Sequence, residues 1–288
     1  MTRAHERIDA HLHLWDLGVS EYDWLDESAG ELFASFAPDL ARAELDAAGI
    51  DRAVLVQAED SLRDTEYLIN VASEQPWVAG VVGWVQLDDR ARAEAALDRW
   101  HEHGHVVGIR HLVHIDPRPD FLELPSVRDS LREVAVRELA FDIPDAWPAH
   151  LDAAIAVAKQ LPDLTVVIDH LAKPPRGTAS YAEWERTFRA ASALPNTVAK
   201  LSGLQSAGAP FSVDALREVW DVALAAYGPD RLMYGGDWPM TVPSGGYVPT
   251  WQVLSTLIWE LSASEQDQIL GRTASRVYRL PPAEPQAG

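Results

Sequence analysis

The chain has 288 residues, 47% of them apolar, which is enough for one large domain of the size at which α/β barrels commonly run. With 24 Lys and Arg against 44 Asp and Glu, the formal net charge of −20 argues against nucleic acid or an anionic membrane as a partner. Cysteine is absent, which excludes disulfides, thiolate-bound zinc and cysteine nucleophiles. The N-terminus has no apolar h-region and no apolar run approaches membrane-spanning length, so a cytoplasmic protein is expected.

The run Ile8-Asp9-Ala10-His11-Leu12-His13-Leu14-Trp15 reads as the first strand, because apolar and polar residues alternate along it. Strict alternation places Asp9, His11 and His13 on one face and Ala10, Leu12 and Leu14 on the other. Two imidazoles so spaced can converge on a metal ion or a carbonyl oxygen, although such a pair can equally be part of a satisfied core. A long loop over 16–37, carrying Tyr22, Trp24 and Phe33, leads to a helix that opens at Pro38 and ends at Gly49. Further strands are expected at 52–57, 79–85, 106–111, 139–143, 164–170, 197–202 and 231–237. Helical segments are expected at 64–74, 90–103, 127–138, 149–160, 213–227, 250–261 and 263–272.

This alternation is the signature of βα units, and eight strands is the count of a (β/α)8 TIM barrel. The expectation is a single barrel domain over 1–280, with a disordered Pro-rich tail at 281–288. A doubly wound sheet is the competitor, yet no Gly-rich phosphate loop follows any strand.

Barrels of this kind build their sites at the C-terminal ends of the strands. His11 and His13 lie late in the first strand, Arg110 and His111 end the fourth, and Asp142 lies late in the fifth. Asp169 and His170 end the sixth, Lys200 and Ser202 the seventh, and Asp237 the eighth. Packing alone does not explain why apolar strands so often finish in an ionisable group. The stretch His101-Glu102-His103-Gly104-His105 is a control: it sits at a helix end before the fourth strand, on the stability face, and is assigned to solvent. His5 and His150 are likewise read as surface residues. His11, His13, His170 and Asp237 offer three nitrogens and one oxygen, a set that suits zinc or another borderline divalent ion. A carboxylate beside such a set can take a proton from attacking water. Asp169, taken to point away from His170, reads as a partner in the barrel wall. Lys200 either orients a substrate oxygen or pairs with Asp169 or Asp142, and pairing is the preferred reading.

Five motifs carry a resemblance: His11-Leu12-His13, Gly108-Ile109-Arg110-His111, Ile168-Asp169-His170-Leu171-Ala172-Lys173-Pro174, Lys200-Leu201-Ser202-Gly203-Leu204 and Tyr234-Gly235-Gly236-Asp237-Trp238-Pro239. In this order they resemble the amidohydrolase superfamily, and most closely its amidohydrolase-2 branch of lactonases. That branch includes L-fuconolactonases, L-rhamnonolactonases, sulfomuconolactone hydrolases and pyrone dicarboxylate lactonases. The resemblance runs from Ile8 to Leu280 and includes Gly271-Arg272-Thr273-Ala274-Ser275-Arg276-Val277-Tyr278. It implies a barrel that hydrolyses a lactone, with Asp237 as general base and with His11, His13 and His170 either binding one metal or polarising the carbonyl directly. Members of the branch work with or without metal, so both remain open. It also implies that Arg110 contacts substrate. Two departures stand out, since relatives often carry Glu where Asp116 stands and Ser where Gly236 stands.

The expected reaction is therefore opening of a lactone by water, with Asp237 and His170 catalytic and the carbonyl held by the histidines or by zinc. Arg110, His111, Asp142, Lys200 and Trp238 are the candidates for substrate contact, and Trp15, Trp84 and Trp238 offer apolar walls for a ring face. With Arg110 and Lys200 as the obvious cations at the mouth, a neutral sugar lactone is favoured over a dicarboxylate. A metal-dependent decarboxylase on the same scaffold is one rival, opposed by the lack of a His ending the seventh strand. A catalytically silent barrel that binds a sugar acid is the other, and it leaves Asp237 unexplained. Such barrels often pair, so a homo-oligomer is open.

Overall fold

Every predicted strand is present, and together they form one parallel sheet. The computed structural model describes residues 5–206 and 209–282. The strands are β1 (Ile8–Leu12), β2 (Arg52–Val56), β3 (Val78–Gly83), β4 (Val106–Arg110), β5 (Ala140–Ile143), β6 (Val166–Ile168), β7 (Thr197–Leu201) and β8 (Leu232–Tyr234), each paired in parallel with the next. The circle closes where Leu12 bridges Trp238: His13 N–H donates to Trp238 O at 2.7 Å and Asp237 N–H to His11 O at 2.8 Å. This is a single-domain (β/α)8 barrel. The tail, from Ala283 onward, lies outside the described residues. No helix among the described residues is long and apolar enough to cross a membrane.

Helices α1 (Pro38–Ala48), α2 (Leu62–Glu74), α3 (Arg90–His103), α4 (Pro125–Val136) and α5 (Leu151–Gln160) follow the first five strands. Helices α6 (Tyr181–Ser192), α7 (Val213–Tyr227) and α8 (Tyr247–Ile258) follow the last three. Local sequence explains many of their ends. Pro38 occupies the first turn of α1 and Gly49 closes it in the left-handed conformation at φ 68°, while Ser61 and Asp89 cap α2 and α3 by accepting from Asp64 N–H and Arg92 N–H. Helix α6 was not among the predicted segments, although Tyr181, Trp184, Phe188 and Ala191 carry the helical period that buries its inner face. The last predicted helix, over 263–272, is α9 (Ala263–Asp267) followed by a π turn (Gln268–Arg272), and α10 (Thr273–Val277) continues beyond it.

The two faces of the strands bury different material. Outward residues such as Ala53, Leu55, Val81 and Ile109 join the large core under the helices. Inward residues such as Ile8, Val54, Val82, Ala140, Val167 and Met233 fill the barrel, closed at one end by Ala274, Val277, Tyr278 and Leu280 of the C-terminal segment. His101 and His103 are exposed on the last turn of α3, ahead of β4 and remote from the strand ends that carry the site. His150, expected at the surface, is buried at the start of α5.

After β8 the chain turns inside a crowded corner. Tyr247 of α8 donates its hydroxyl to Asp9 Oδ2 at 2.7 Å, and a Cβ on Gly236 would lie 2.1 Å from the Tyr247 ring and 2.7 Å from that Asp9 oxygen. The departure from Ser at this position is thus tied to Tyr247. Gly236→Ser is expected to cost about 1–3 kcal/mol through overpacking, read as a lower urea midpoint. The cost should fall in a Tyr247→Ala background, where the clashing ring is gone and the close approach to Asp9 Oδ2 remains. An equal cost in both backgrounds would show that the ring is not its source.

Candidate active site

The histidine pair on β1 is aimed by an irregularity. Ile8 and Asp9 pair with Arg52 and Ala53, but Leu12 pairs with Leu55, so β1 holds one extra residue between Asp9 and Leu12. Such a bulge breaks the alternation and re-aims the side chains beyond it. His11 and His13 point into the barrel, whereas Asp9 turns outward to Tyr247 and accepts from His11 N–H and Gly236 N–H. The expectation that Asp9 shares the histidines' face is therefore corrected. Burial pushes the Asp9 carboxyl up to about 7, against these hydrogen bonds.

His170 arrives by a second irregularity. Strand β6 ends at Ile168, and His170, Leu171, Ala172 and Lys173 all take left-handed backbone, at φ between 51° and 61°. This coil turns both Asp169 and His170 inward, so Asp169 does not point away as alternation along a longer strand implies. Asp237 also sits at φ 53°, directly after Gly235 and Gly236. Gly203, at φ 55°, lies so close beneath that a Cβ there would be 2.2 Å from His170 Nδ1 and 2.7 Å from Asp237 Oδ2.

The three imidazoles present their Nε2 atoms to one carboxylate oxygen. His13, His11 and His170 Nε2 lie 3.6, 3.7 and 4.0 Å from Asp237 Oδ1, and His11 and His13 Nε2 are 3.1 Å apart. His13 Nδ1 is 2.8 Å from Val56 O, an acceptor only, so Nδ1 carries the proton and Nε2 offers a lone pair. His170 Nδ1 is 2.9 Å from Ser202 Oγ. Burial holds all three imidazoles below their ordinary range, Lys200 adding to the effect at His11. Burial pushes Asp237 upward, but the surrounding His170, His13, His11 and Lys173 more than reverse this and hold it well below the usual carboxylate range. Its Oδ1 is buried with no hydrogen-bond partner among the described residues. An ionised, unpartnered oxygen among converging ring nitrogens fits a divalent cation, and ligand atoms of His11, His13 and Asp237 all lie within 4.8 Å of one another. The same limit holds for His11, Asp169 and His170.

Beneath this floor lies a buried charge network. Lys200 Nζ donates to Asp142 Oδ2 at 2.6 Å and lies 3.1 Å from Asp169 Oδ1 and 3.0 Å from His11 Nδ1. Asp142 and Lys200, expected as substrate contacts, are wholly buried and stand behind His11, and neither lines the cavity. The preferred pairing of Lys200 with the two carboxylates is what the structure has.

Above the floor is a cavity of about 640 Å³, including its mouth. Its walls include Arg110, which donates to Gln57 O at 2.6 Å and lies 3.4 Å from Asp169 Oδ2. Trp15 and Trp24 form an apolar side, with Trp24 Nε1–H donating to Ala58 O at 2.7 Å to tie the long first loop down. His111 is not on the wall: it is clamped by Asp60 at 3.1 Å and Asp116 at 2.9 Å and stacks on Phe121. Trp238 is also off the wall, buried edge-on against Phe36, and Trp84 donates to His111. Sequence reasoning gave no cavity role to His114, Asp145, Lys173 or Met240, all of which line it from loops after the strands. Position after a strand end was the available signal.

A model of the amidohydrolase family matches residues 8–280. An L-fucono-1,5-lactonase of Burkholderia ambifaria is 33% identical over 280 residues, covering 95% of this chain and 96% of its own. One from Burkholderia multivorans is 28% identical over 302 residues, covering 96% of each. A crystal structure of a Burkholderia multivorans amidohydrolase with bound Zn superposes with a TM-score of 0.86 at 26% identity, over 96% of this chain and 100% of that one. With the match running from β1 to the end of the barrel, the chain belongs to the amidohydrolase family.

Proposed function

We propose that the protein is a lactonase that opens a sugar lactone by attack of water. One observation carries this reading: Asp237, ionised and with a buried unpartnered oxygen, faces three imidazoles at the floor of a cavity. The curated relatives named L-fucono-1,5-lactonase favour the same chemistry. His11, His13, His170 and Asp237 would hold one divalent ion, zinc by the softness of the donor set, and it would supply Lewis-acid polarisation of the ring carbonyl.

The chain's own groups do the rest. Asp237 takes a proton from water as the water oxygen bonds to the carbonyl carbon. The ring carbon–oxygen bond then breaks, and Asp237 returns the proton to the leaving ring oxygen, giving the open hydroxy acid. His13 is held in a single tautomer by Val56 O, so its Nε2 stays oriented toward the floor without reorganising. Arg110, fixed by Gln57 O, places a cation where negative charge develops on the carbonyl oxygen. A decarboxylase is disfavoured by the end of β7, where Leu201-Ser202-Gly203 carries no imidazole. A silent binder of a sugar acid is disfavoured by Asp237 itself, because burying an unpaired carboxylate is costly and its charge opposes an anionic ligand.

Asp237→Asn is expected to lower kcat/KM on an aldonolactone by about 10²–10⁴-fold, the usual contribution of a general base, while the variant still binds the hydroxy acid product. Turnover at the wild-type rate would remove Asp237 from the role. Metal analysis of the purified protein should find one divalent ion per chain, with lactonase activity lost on chelation and restored by zinc. Full activity after complete metal removal would instead leave polarisation of the carbonyl to the chain's own donors, among which the Nε2 of His13, which carries no proton, is not counted.

A further inference from the structure

The loop after β5 brings to the cavity a carboxylate that the hydrolysis does not use. We propose that Asp145 determines specificity by accepting hydrogen bonds from ring hydroxyls, selecting a polyhydroxylated, uncharged lactone over an unsubstituted or carboxylated one. This rests on the lactonase reading and adds to it how the substrate ring is recognised.

Asp145 lines the same cavity as His13, His170 and Asp237, and its side chain keeps 32% exposure. It stands in left-handed backbone at φ 43°, a conformation costly for a residue with a Cβ and concentrated at ligand-binding positions. Its Oδ1 is buried with no hydrogen-bond partner among the described residues. Lys173 Nζ is 3.9 Å from that oxygen, beyond hydrogen-bond distance, and donates instead to Gly203 O at 2.8 Å. A carboxylate oxygen only accepts, and with Oδ1 enclosed it is the other oxygen of Asp145 that can serve a ring hydroxyl.

The rest of the wall suits such a ring. Burial, opposed by the charge of Asp145 and helped by Arg110 and His170, pulls the His114 imidazole down to about 4, so at neutral pH it is uncharged and can donate to or accept from a hydroxyl. Arg110 and Lys173 balance Asp145 and Asp237 along the lining, and each of the two cations already donates to a backbone carbonyl, Gln57 O and Gly203 O. A ring carboxylate would therefore meet Asp145 with no bidentate cation to offset it. Trp15 and Trp24 offer the faces on which the apolar side of a sugar ring stacks.

The test compares wild type with Asp145→Ala and Asp145→Asn on a hydroxylated six-membered aldonolactone and on unsubstituted δ-valerolactone. Loss of a hydrogen bond to a charged acceptor is expected to lower kcat/KM on the aldonolactone by about 10–100-fold, with δ-valerolactone turnover unchanged. Asp145→Asn, which keeps one acceptor oxygen, should fall between. Equal losses on both lactones, or no loss on either, would overturn the proposal. Calorimetric binding of a polyhydroxylated lactam and of piperidin-2-one gives a readout independent of hydrolysis. If wild type hydrolyses no lactone, the lactonase reading fails, and the lactams still decide for Asp145. Hydroxyl discrimination lost in Asp145→Ala supports its role, and discrimination retained overturns it.

Discussion

Lys200 has no contact with water, and the geometry of the site depends on how that buried ammonium is met. Asp142, Asp169 and His11 Nδ1 surround it within 3.1 Å, and Arg110 lies against the far oxygen of Asp169. Two cations thus face two carboxylates, a balance that makes burial of four charges tolerable. The two acids are not equivalent. Burial lifts Asp142 to about 6, whereas at Asp169 the charge of Lys200 overcomes burial and holds the carboxyl far below its ordinary range. Tyr278, just beyond α10, donates to Asp142 Oδ2 at 2.7 Å, so the segment that closes the bottom of the barrel also braces the floor of the site. Removing one partner would strand the others, which typically costs about 3–5 kcal/mol.

That network fixes His11 from below, and backbone irregularities bring the remaining groups to it. A regular eight-stranded barrel would point alternate residues inward at even spacing and could not gather three imidazoles around one oxygen. The bulge in β1 and the left-handed coil after β6 break that spacing where convergence is needed. Each left-handed residue with a Cβ costs about 1–2 kcal/mol, so the coil is strained, and the packing of Leu171 and Ala172 in the core holds it. Gly203 completes the arrangement by leaving out the side chain that would otherwise occupy the place of His170 and Asp237.

These irregularities mark where the sequence could be read and where it could not. The strands were legible because β-branched runs and helical periods are local properties, and His11, His13, His170 and Asp237 were legible because strand ends are the place to look. Faces were misjudged at Asp9 and Asp169, where a bulge and an early strand end replaced the assumed alternation. His111, Asp142, Lys200 and Trp238 sit at the right ends of their strands, but they are held by partners distant in sequence, such as Phe121, Tyr278, His11 and Phe36. Such partners leave no local signal. Asp145 was invisible for a different reason, since an aspartate in a loop is ordinary turn chemistry until a cavity is seen beside it.

Asp9 shows how closure of the barrel and construction of the site became one problem. Its carboxylate spans the bulge of β1, the glycine after β8 and the first turn of α8, accepting from His11 N–H, Gly236 N–H and Tyr247 Oη–H. A side chain at position 236 would meet both the tyrosine ring and an Asp9 oxygen. Glycine there is therefore the counterpart of the large residue at 247 rather than a freedom of the loop. The same corner carries the hydrogen bonds between His11, His13, Asp237 and Trp238 that join the first strand to the last. The turn that seats Asp237 is thereby locked to the strand that seats the two histidines, so Asp237, His11 and His13 are held as one rigid unit.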